Sequence, residues 1–283
     1  MILITGSSGF IGTNMVKFCQ KNNIKFHGVD LKVNKYFKFK GFTKLDLSKA
    51  NRVKKLFKKI KPKTVIHLAA VSGVGSCNQD IPGAFNKNIQ ATFNLLNCSK
   101  EFNCKKVLIA SSQAAEKFNL NPSLYAYTKR SCEDMGRTFK ENFKLNISIL
   151  RFSNVYGPFS FHKTSAIHQM MKCLIENKTF QIHGNGKQTR DFIYVNELVK
   201  KVFQISKVKF IKEFYDIKTN KKNTINYMIN KINSFSKKKL KVCKTKPPLG
   251  YDVTYLKKYK EKENKGLNLN LKITFNWYNS LKK

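Results

Sequence analysis

The sequence predicts an α/β protein: a doubly wound parallel sheet followed by a smaller α/β C-terminal lobe. Three observations carry this. Short β-branched runs alternate with longer stretches of helical spacing through the first half of the chain. A glycine-rich turn follows the first run and opens the first helical stretch. Beyond Pro158 the alternation loses its regularity, which marks a second body.

The elements follow in order. Met1–Thr5 reads as a buried strand, Phe10–Gln20 as a helix and Lys25–Asp30 as a second strand. Phe42–Leu47 is a third strand. Ser48 caps a helix running to about Ile60, stopped by Pro62. Thr64–Leu68 is a fourth strand, and Ile81–Phe102 carries helical spacing in Phe85, Ile89, Phe93 and Leu96. Lys106–Ser111 is a fifth strand, Ser123–Phe143 a long helix and Ile147–Phe152 a sixth strand. Strands alternating with helices imply a parallel sheet wound by right-handed crossovers. Later come a helix over Thr164–Asn177, a turn at His183–Gly186, and helical stretches at Ile225–Phe235 and Ile273–Leu281. From Lys207 the chain is rich in Lys and Asn and reads as a poorly patterned surface.

The composition is that of a globular protein, with 41% hydrophobic and 12% aromatic residues over 283 positions. Lys and Arg number 55 against 16 Asp and Glu, a formal charge of +39. Such a field attracts polyanions in general. Arg, however, is confined to Arg52, Arg130, Arg137, Arg151 and Arg190, and the Lys residues are scattered from end to end. A nucleic-acid reader concentrates Arg and aromatics on one element, so nucleic acid is not the expected partner. The seven Cys form no C-x-x-C pair, which points to reduced thiols in a cytoplasm and to no metal site. Met1 opens directly into the first strand, and no apolar run approaches a membrane span, so neither a leader nor a membrane role is expected.

The turn Gly6-Ser7-Ser8-Gly9-Phe10-Ile11-Gly12 carries the first chemistry. Gly6 permits a tight turn, Gly9 lets the backbone approach a pyrophosphate, and Gly12 lets helix and strand pack closely. The helix N-terminus offers N–H groups to the phosphate. Asp30, at the end of the second strand, can accept both ribose hydroxyls of NAD and repels a 2′-phosphate. The expected fold is therefore of Rossmann type, with NAD as cofactor.

Tyr125 and Lys129 stand four residues apart on a predicted helix, hence on one face. An ammonium beside a phenol favours the phenolate, which suits Tyr125 to general acid–base work. Ser111 and Ser112 end the fifth strand, at the edge where doubly wound sheets bind ligands.

With these pieces in place the sequence resembles the extended short-chain dehydrogenases, specifically the NAD-dependent epimerase/dehydratase group, from Met1 to about Leu198. The motifs stand in family order: the glycine turn, Asp30, Asp46-Leu47, His67-Leu68-Ala69-Ala70, Asn88 before Thr92-Phe93-Asn94-Leu95-Leu96, Ser111-Ser112, Tyr125 and Lys129. Arg151-Phe152-Ser153-Asn154-Val155-Tyr156-Gly157-Pro158 and Gln188-Thr189-Arg190-Asp191-Phe192-Ile193-Tyr194-Val195 complete the set.

The resemblance implies roles. Ser112, Tyr125 and Lys129 form the catalytic triad, with Tyr125 and Lys129 also touching the cofactor. Gly6, Gly9, Phe10, Ile11, Gly12, Asp30, Asp46, Leu47, Leu68, Ala69, Ala70, Asn88 and Ser111 line NAD. Asn154 and Arg190 hold the diphosphate of a nucleotide sugar, and a guanidinium fork suits phosphate oxygens. The implied domains are an NAD-binding Rossmann domain over 1–156, with 185–205 packing back on it, and a substrate-binding lobe over 157–283. Relatives commonly dimerise through the helices at 81–102 and 123–143.

The group shares a first oxidation and differs afterwards. Similar 4,6-dehydratases carry an Asp-Glu or Asp-Lys pair just after the strand-five hydroxyl, where this chain has Gln113 and Ala114. Neither can act as acid or base, so a UDP-hexose 4-epimerase-like reaction is the expectation. A dehydratase or ketoreductase on the same scaffold is the first alternative, and a non-catalytic NAD-sensing or RNA-binding relative the second. Where relatives have Val-Tyr-Gly, this chain has Ala115-Glu116-Lys117, and its stretch from Ser112 to Tyr125 is short.

Overall fold

A computed structural model describes residues 1–116, 122–247 and 266–281. Part of the short stretch between Ser112 and Tyr125 lies outside the described residues, as does part of the C-terminal tail. The described chain divides into two compact units, Met1–Phe152 with Val199–Ile217, and Ser153–Leu198 with Lys218–Lys283.

The first unit alternates strand and helix: β1 (Ile2–Thr5), α1 (Phe10–Lys21), β2 (Phe26–Asp30), β3 (Phe42–Lys44), α2 (Ala50–Ile60) and β4 (Thr64–His67). There follow α3 (Val74–Gln79), α4 (Ile81–Ala84), a π-helical segment (Phe85–Gln90), α5 (Ala91–Glu101), β5 (Lys106–Ser112), α6 (Gln113–Glu116), α7 (Leu124–Phe143) and β6 (Ile147–Phe152). The chain then passes through β7 (Asn154–Tyr156), α8 (Ala166–Glu176), β8 (Phe180–His183), β9 (Thr189–Tyr194) and α9 (Val195–Lys207) to β10 (Phe214–Ile217). The remaining elements are β11 (Lys222–Thr224), α10 (Ile225–Phe235), β12 (Val242–Thr245) and α11 (Leu267–Ser280).

Seven strands of the first unit form one sheet in the order β10-β6-β5-β4-β1-β2-β3, every pair parallel. The winding direction reverses between β1 and β4, and the crevice outside the carboxyl ends there is where such sheets take a ligand. Strands covered on both faces are apolar along their length: β1 is wholly buried, as are six of the seven residues of β5. On one face Leu3, Val65, Val107, Ile109 and Ile147 pack with Phe57, Leu95, Leu96 and Phe139 from α2, α5 and α7. On another side of the unit Phe18 of α1 meets Phe203 of α9, ring centroids 5.2 Å apart. The buried ammonium of Lys106 caps the end of α9, donating to the carbonyls of Ser206 and Val208.

Several sequence expectations shift. The third strand stops at Lys44, short of Leu47. Ser48 does not cap the next helix: the Asp46 carboxylate takes the Ser48 N–H at 2.9 Å in a local turn, and Lys49 is the N-cap, with no side-chain bond. The helical run at 81–102 is interrupted by the π-helical segment. The Lys-rich tail, read as unpatterned, supplies the seventh strand β10 to the sheet. The last helix begins at Leu267 rather than Ile273, where Gly266 has φ +85°.

In the second unit β7 and β9 pair parallel, β11 pairs antiparallel to β9, and β12 pairs parallel to β8. All seven cysteines are free thiols. Among the described residues no helix is long and apolar enough to cross a membrane.

Candidate active site

The carboxyl ends of β1, β4 and β5 lie along one edge of the first unit's parallel sheet. At the end of β1, Gly6 adopts φ +67°, and a Cβ there would stand 2.7 Å from the Ala69 nitrogen and 2.8 Å from the Leu68 carbonyl carbon. Only glycine lets the turn press against the segment after β4. A Cβ on Gly12 would meet the Gly6 carbonyl oxygen at 1.9 Å, so α1 starts hard against the turn. Among the described residues a Cβ on Gly9 would meet nothing but that same oxygen, at 3.2 Å. Gly9 therefore leaves the helix start open to a ligand.

The turn also fits a phosphate chemically. Gly9 is the N-cap of α1 and contributes no side-chain bond to its first turn. Among the described residues the hydroxyls of Ser7 and Ser8 are buried without a hydrogen-bond partner, an arrangement that favours a polar ligand there. Asp30 braces the turn, accepting from the Ser8 N–H at 2.9 Å and the Lys32 N–H at 3.2 Å. Phe10 is buried and Ile11 half-buried at the helix start. Leu47 is buried, and its carbonyl accepts from the Asn94 amide at 2.9 Å. Asp46 closes the turn beside it.

Ser112 and Tyr125 are brought together: the Ser112 hydroxyl stands close enough to the phenol to favour its ionised form, and it accepts from the Ala114 N–H at 3.2 Å. α7 is placed for this by its own cap, Ser123, whose hydroxyl accepts from the Ala126 N–H at 3.2 Å. Lys129 lies one turn further, buried, and donates to the Ala110 carbonyl at 2.8 Å. The expected lowering of the phenol pKa by this neighbour is not what the geometry delivers. Burial pushes Tyr125 up to about 12, and the Ser112 hydroxyl opposes that shift. Burial likewise lowers the Lys129 ammonium.

Ser111, grouped with the cofactor residues from the sequence, turns the other way, because successive strand residues face opposite sides. Its hydroxyl donates to Glu133 at 2.6 Å, and Arg151 grips the same carboxylate at 3.0 and 2.7 Å. Arg151 also reaches Glu116 at 3.3 Å. Asn88 sits in the π-helical segment, buried, with its side chain accepting from the Val71 N–H at 2.7 Å. Its amide donates to the Val71 carbonyl and to the Thr128 hydroxyl, both at 3.0 Å.

In the second unit, Asn154 on β7 donates to the Asp191 carbonyl at 3.2 Å. Arg190 on β9 is half-buried and donates to the Thr189 carbonyl at 2.9 Å. Asp191, on the opposite face of the strand, accepts from the Ser153 hydroxyl at 3.0 Å and from the Thr219 N–H at 3.0 and 3.2 Å. Among the described residues no three His, Cys, Asp or Glu cluster as metal ligands.

Sequence reasoning missed Glu133 and gave His67 no role of its own. His67 pairs in register with Thr5 on the neighbouring buried strand. Two polar residues closing two apolar runs were the available signal.

The chain is similar in sequence and fold to known proteins. The UDP-glucuronate 4-epimerase of Thermodesulfobacterium geofontis is 30% identical over 226 residues, 70% of this chain and 69% of the relative. The UDP-N-acetylglucosamine 4-epimerase of Methanobrevibacter ruminantium, solved with UDP-N-acetylmuramic acid, superposes with TM-score 0.85 at 26% identity, covering 99% and 98% of the two chains. The UDP-glucuronic acid 4-epimerase of Bacillus cereus, solved with UDP-glucuronic acid and NAD, gives TM-score 0.81 at 25% identity over 99% of each chain. The profile of the NAD dependent epimerase/dehydratase family matches residues 2–209, nearly three quarters of the sequence, and this chain belongs to that family.

Proposed function

We propose that this protein is a nucleotide-sugar 4-epimerase that inverts the C4 hydroxyl of a UDP-hexose, with the first unit holding NAD and the second contributing to sugar-nucleotide binding. The observation that carries this is the pairing of Ser112 with Tyr125, one helical turn from Lys129, with Gln113 and Ala114 after the serine instead of an Asp-Glu or Asp-Lys pair. The similar 4-epimerases named above support it.

The glycine turn, with the two unpartnered serine hydroxyls, would cradle the cofactor's pyrophosphate, and Asp30 its adenosine ribose. Asp46, Leu47 and Leu68–Ala70 would border the rest of the dinucleotide. Bound NAD supplies a hydride acceptor that is restored within each turnover. As the phenolate, a form that burial disfavours in the chain by itself, Tyr125 would take the proton of the C4 hydroxyl and give it back after the 4-keto sugar has turned over, so no net acid or base is consumed. Ser112 hydrogen-bonds that oxygen in both states. Lys129, anchored on the Ala110 carbonyl one helical turn from Tyr125, would hold the nicotinamide ribose of the cofactor. Asn154 and Arg190 would hold the diphosphate. Asp191, already engaged by Ser153 and Thr219, faces away from that guanidinium.

The homodimer expected from the sequence has support from the first unit. Ile81, Phe85 and Phe93 are 57%, 51% and 45% exposed, and Tyr127 and Phe143 on the adjoining α7 are 49% and 43% exposed. Leu96, by contrast, is spent on the chain's own core. A second copy would cover this apolar face.

The test is proton NMR of UDP-glucose, UDP-N-acetylglucosamine and UDP-glucuronate, each incubated with the protein and NAD. A C4 epimer forms from at least one, and Tyr125→Phe slows it by about 100-fold or more. Retention of NAD with no epimer from any of the three would refute the reading.

A further inference from the structure

A continuous line of buried hydrogen bonds crosses the first unit from the segment beside the glycine turn to the helix of Tyr125. The Ala69 N–H reaches the Thr5 hydroxyl at 3.3 Å, and Thr5 Oγ1 lies 2.7 Å from His67 Nδ1. His67 Nε2 lies 3.0 Å from the Thr92 hydroxyl, which donates to the Asn88 carbonyl at 2.6 Å. The Asn88 side-chain amide donates to Thr128 at 3.0 Å, and Thr128 donates to the Tyr125 carbonyl at 2.9 Å. Thr5, His67, Thr92, Asn88 and Thr128 are each at most 3% exposed, so water cannot substitute for a missing partner.

The count of protons fixes the direction of the line. Thr92 has one hydroxyl proton, committed to the Asn88 carbonyl, so it can only accept from His67. His67 is then protonated on Nε2 and bare on Nδ1. Thr5, which accepts from Ala69, gives its one proton to Nδ1. In this arrangement Thr5 and Thr128 each accept once and donate once, as does the imidazole, while Thr92 donates once and turns its lone pairs to His67 and the Cys132 thiol. The reverse tautomer would leave Thr5 accepting twice and give Thr92 two acceptors for one proton. Burial, reinforced by the charge of Lys129, holds the imidazole neutral, with its pKa near 3.

We infer that His67 is a positioning residue, locked as its Nε2–H tautomer, which sets the placement of Tyr125 through Thr92, Asn88 and Thr128. The inference rests on the proposed role of Tyr125. The register that pairs Thr5 with His67 fixes one end, and the π-helical segment carrying Asn88 brings the line across to α7. Cys132, also on α7, adds a second tie, its thiol 3.4 Å from the Asn88 carbonyl and 3.3 Å from Thr92. Nothing in this line touches the reacting atoms. It acts by keeping the phenol beside the Ser112 hydroxyl.

Two measurements on the full-length protein test this. Nitrogen-15 correlation spectra of imidazole-labelled protein report the tautomer without any need for turnover. Nε2–H is the expected form at neutral pH, and Nδ1–H or imidazolium would overturn the inference. The second is steady-state epimerisation by Thr92→Val and Thr128→Val against Thr92→Ser and Thr128→Ser. The valine variants should lose roughly 10- to 100-fold in kcat while KM and NAD affinity stay within about twofold, and the serine variants should recover most of the loss. Lower thermal stability with unchanged kcat would make the line structural only. Should Thr92→Val fail to fold, Thr128→Val, at the last link before Tyr125, decides alone. If wild type binds NAD but epimerises nothing, it is the proposed reaction that fails, and the tautomer spectra still judge the hydrogen-bond line.

Discussion

Arg151 holds Glu133 by two parallel hydrogen bonds, 3.0 and 2.7 Å, in a place where the carboxylate's side chain is 1% exposed and the guanidinium's 14%. Ser111 adds a third bond to the same carboxylate, so the pair braces β5 against α7 and β6 beneath the candidate triad. Glu133 in turn strengthens the hold of Arg151 on its charge.

Removing one partner should cost far more than the pair is worth. Arg151→Met leaves a buried carboxylate unpaired and is expected to lower stability by about 3–5 kcal/mol. Arg151→Met with Glu133→Gln should recover much of that loss, since no buried charge is then orphaned. Urea denaturation of the wild type, the single and the double variant checks this. Equal losses in single and double would show that the charge is not the issue.

Tyr125 should titrate late. Burial raises its folded pKa to about 12, above the ordinary phenol value. The sign follows: the neutral phenol is the form the fold favours, so its contribution to stability is intact below about pH 10 and declines as pH rises through about 12. Ultraviolet difference titration of wild type against Tyr125→Phe, without NAD, should assign a tyrosinate transition near pH 12. A transition at or below pH 10 would show that Lys129 outweighs burial.

Acid should destabilise the protein through its buried imidazoles. His67 and His168 are both pushed down to about 3 by burial. Each unfolded imidazole takes up a proton below about pH 6.5 while the folded one does not. Stability from these groups is therefore complete above pH 6.5 and lost as pH falls toward 3. Melting temperature should drop across that window, and His67→Gln should flatten part of the slope. An unchanged slope in that variant would contradict a neutral, buried His67.

Much of this was legible from the residues. The first six strands, the glycine turn, Asp30 and the Tyr125/Lys129 spacing were read from period, turn chemistry and spacing, which are local signals, and the joining of Ser112 to that pair as a triad came from the family resemblance. What escaped was set by tertiary context. Phe214–Ile217 is too short and too flanked by Lys to announce itself, and becomes a strand by pairing with β6. The π-helical turn at Phe85–Gln90 shares its apolar spacing with an ordinary helix. Ser48 looks like a cap until Asp46 claims its N–H. The effect of Lys129 on Tyr125 depends on where the ammonium points, and spacing alone could not place it on the Ala110 carbonyl.

The central claim is transient oxidation at C4 with the same hydride returned. It is tested most directly by a UDP-hexose carrying deuterium at C4, whichever sugar the protein accepts, followed by NMR and mass spectrometry in ordinary water. The account predicts an inverted C4 that keeps its deuterium, no solvent hydrogen at C5, and no net NADH. Loss of the C4 label, elimination of water, or stoichiometric consumption of NADH would contradict it and assign the site to another reaction.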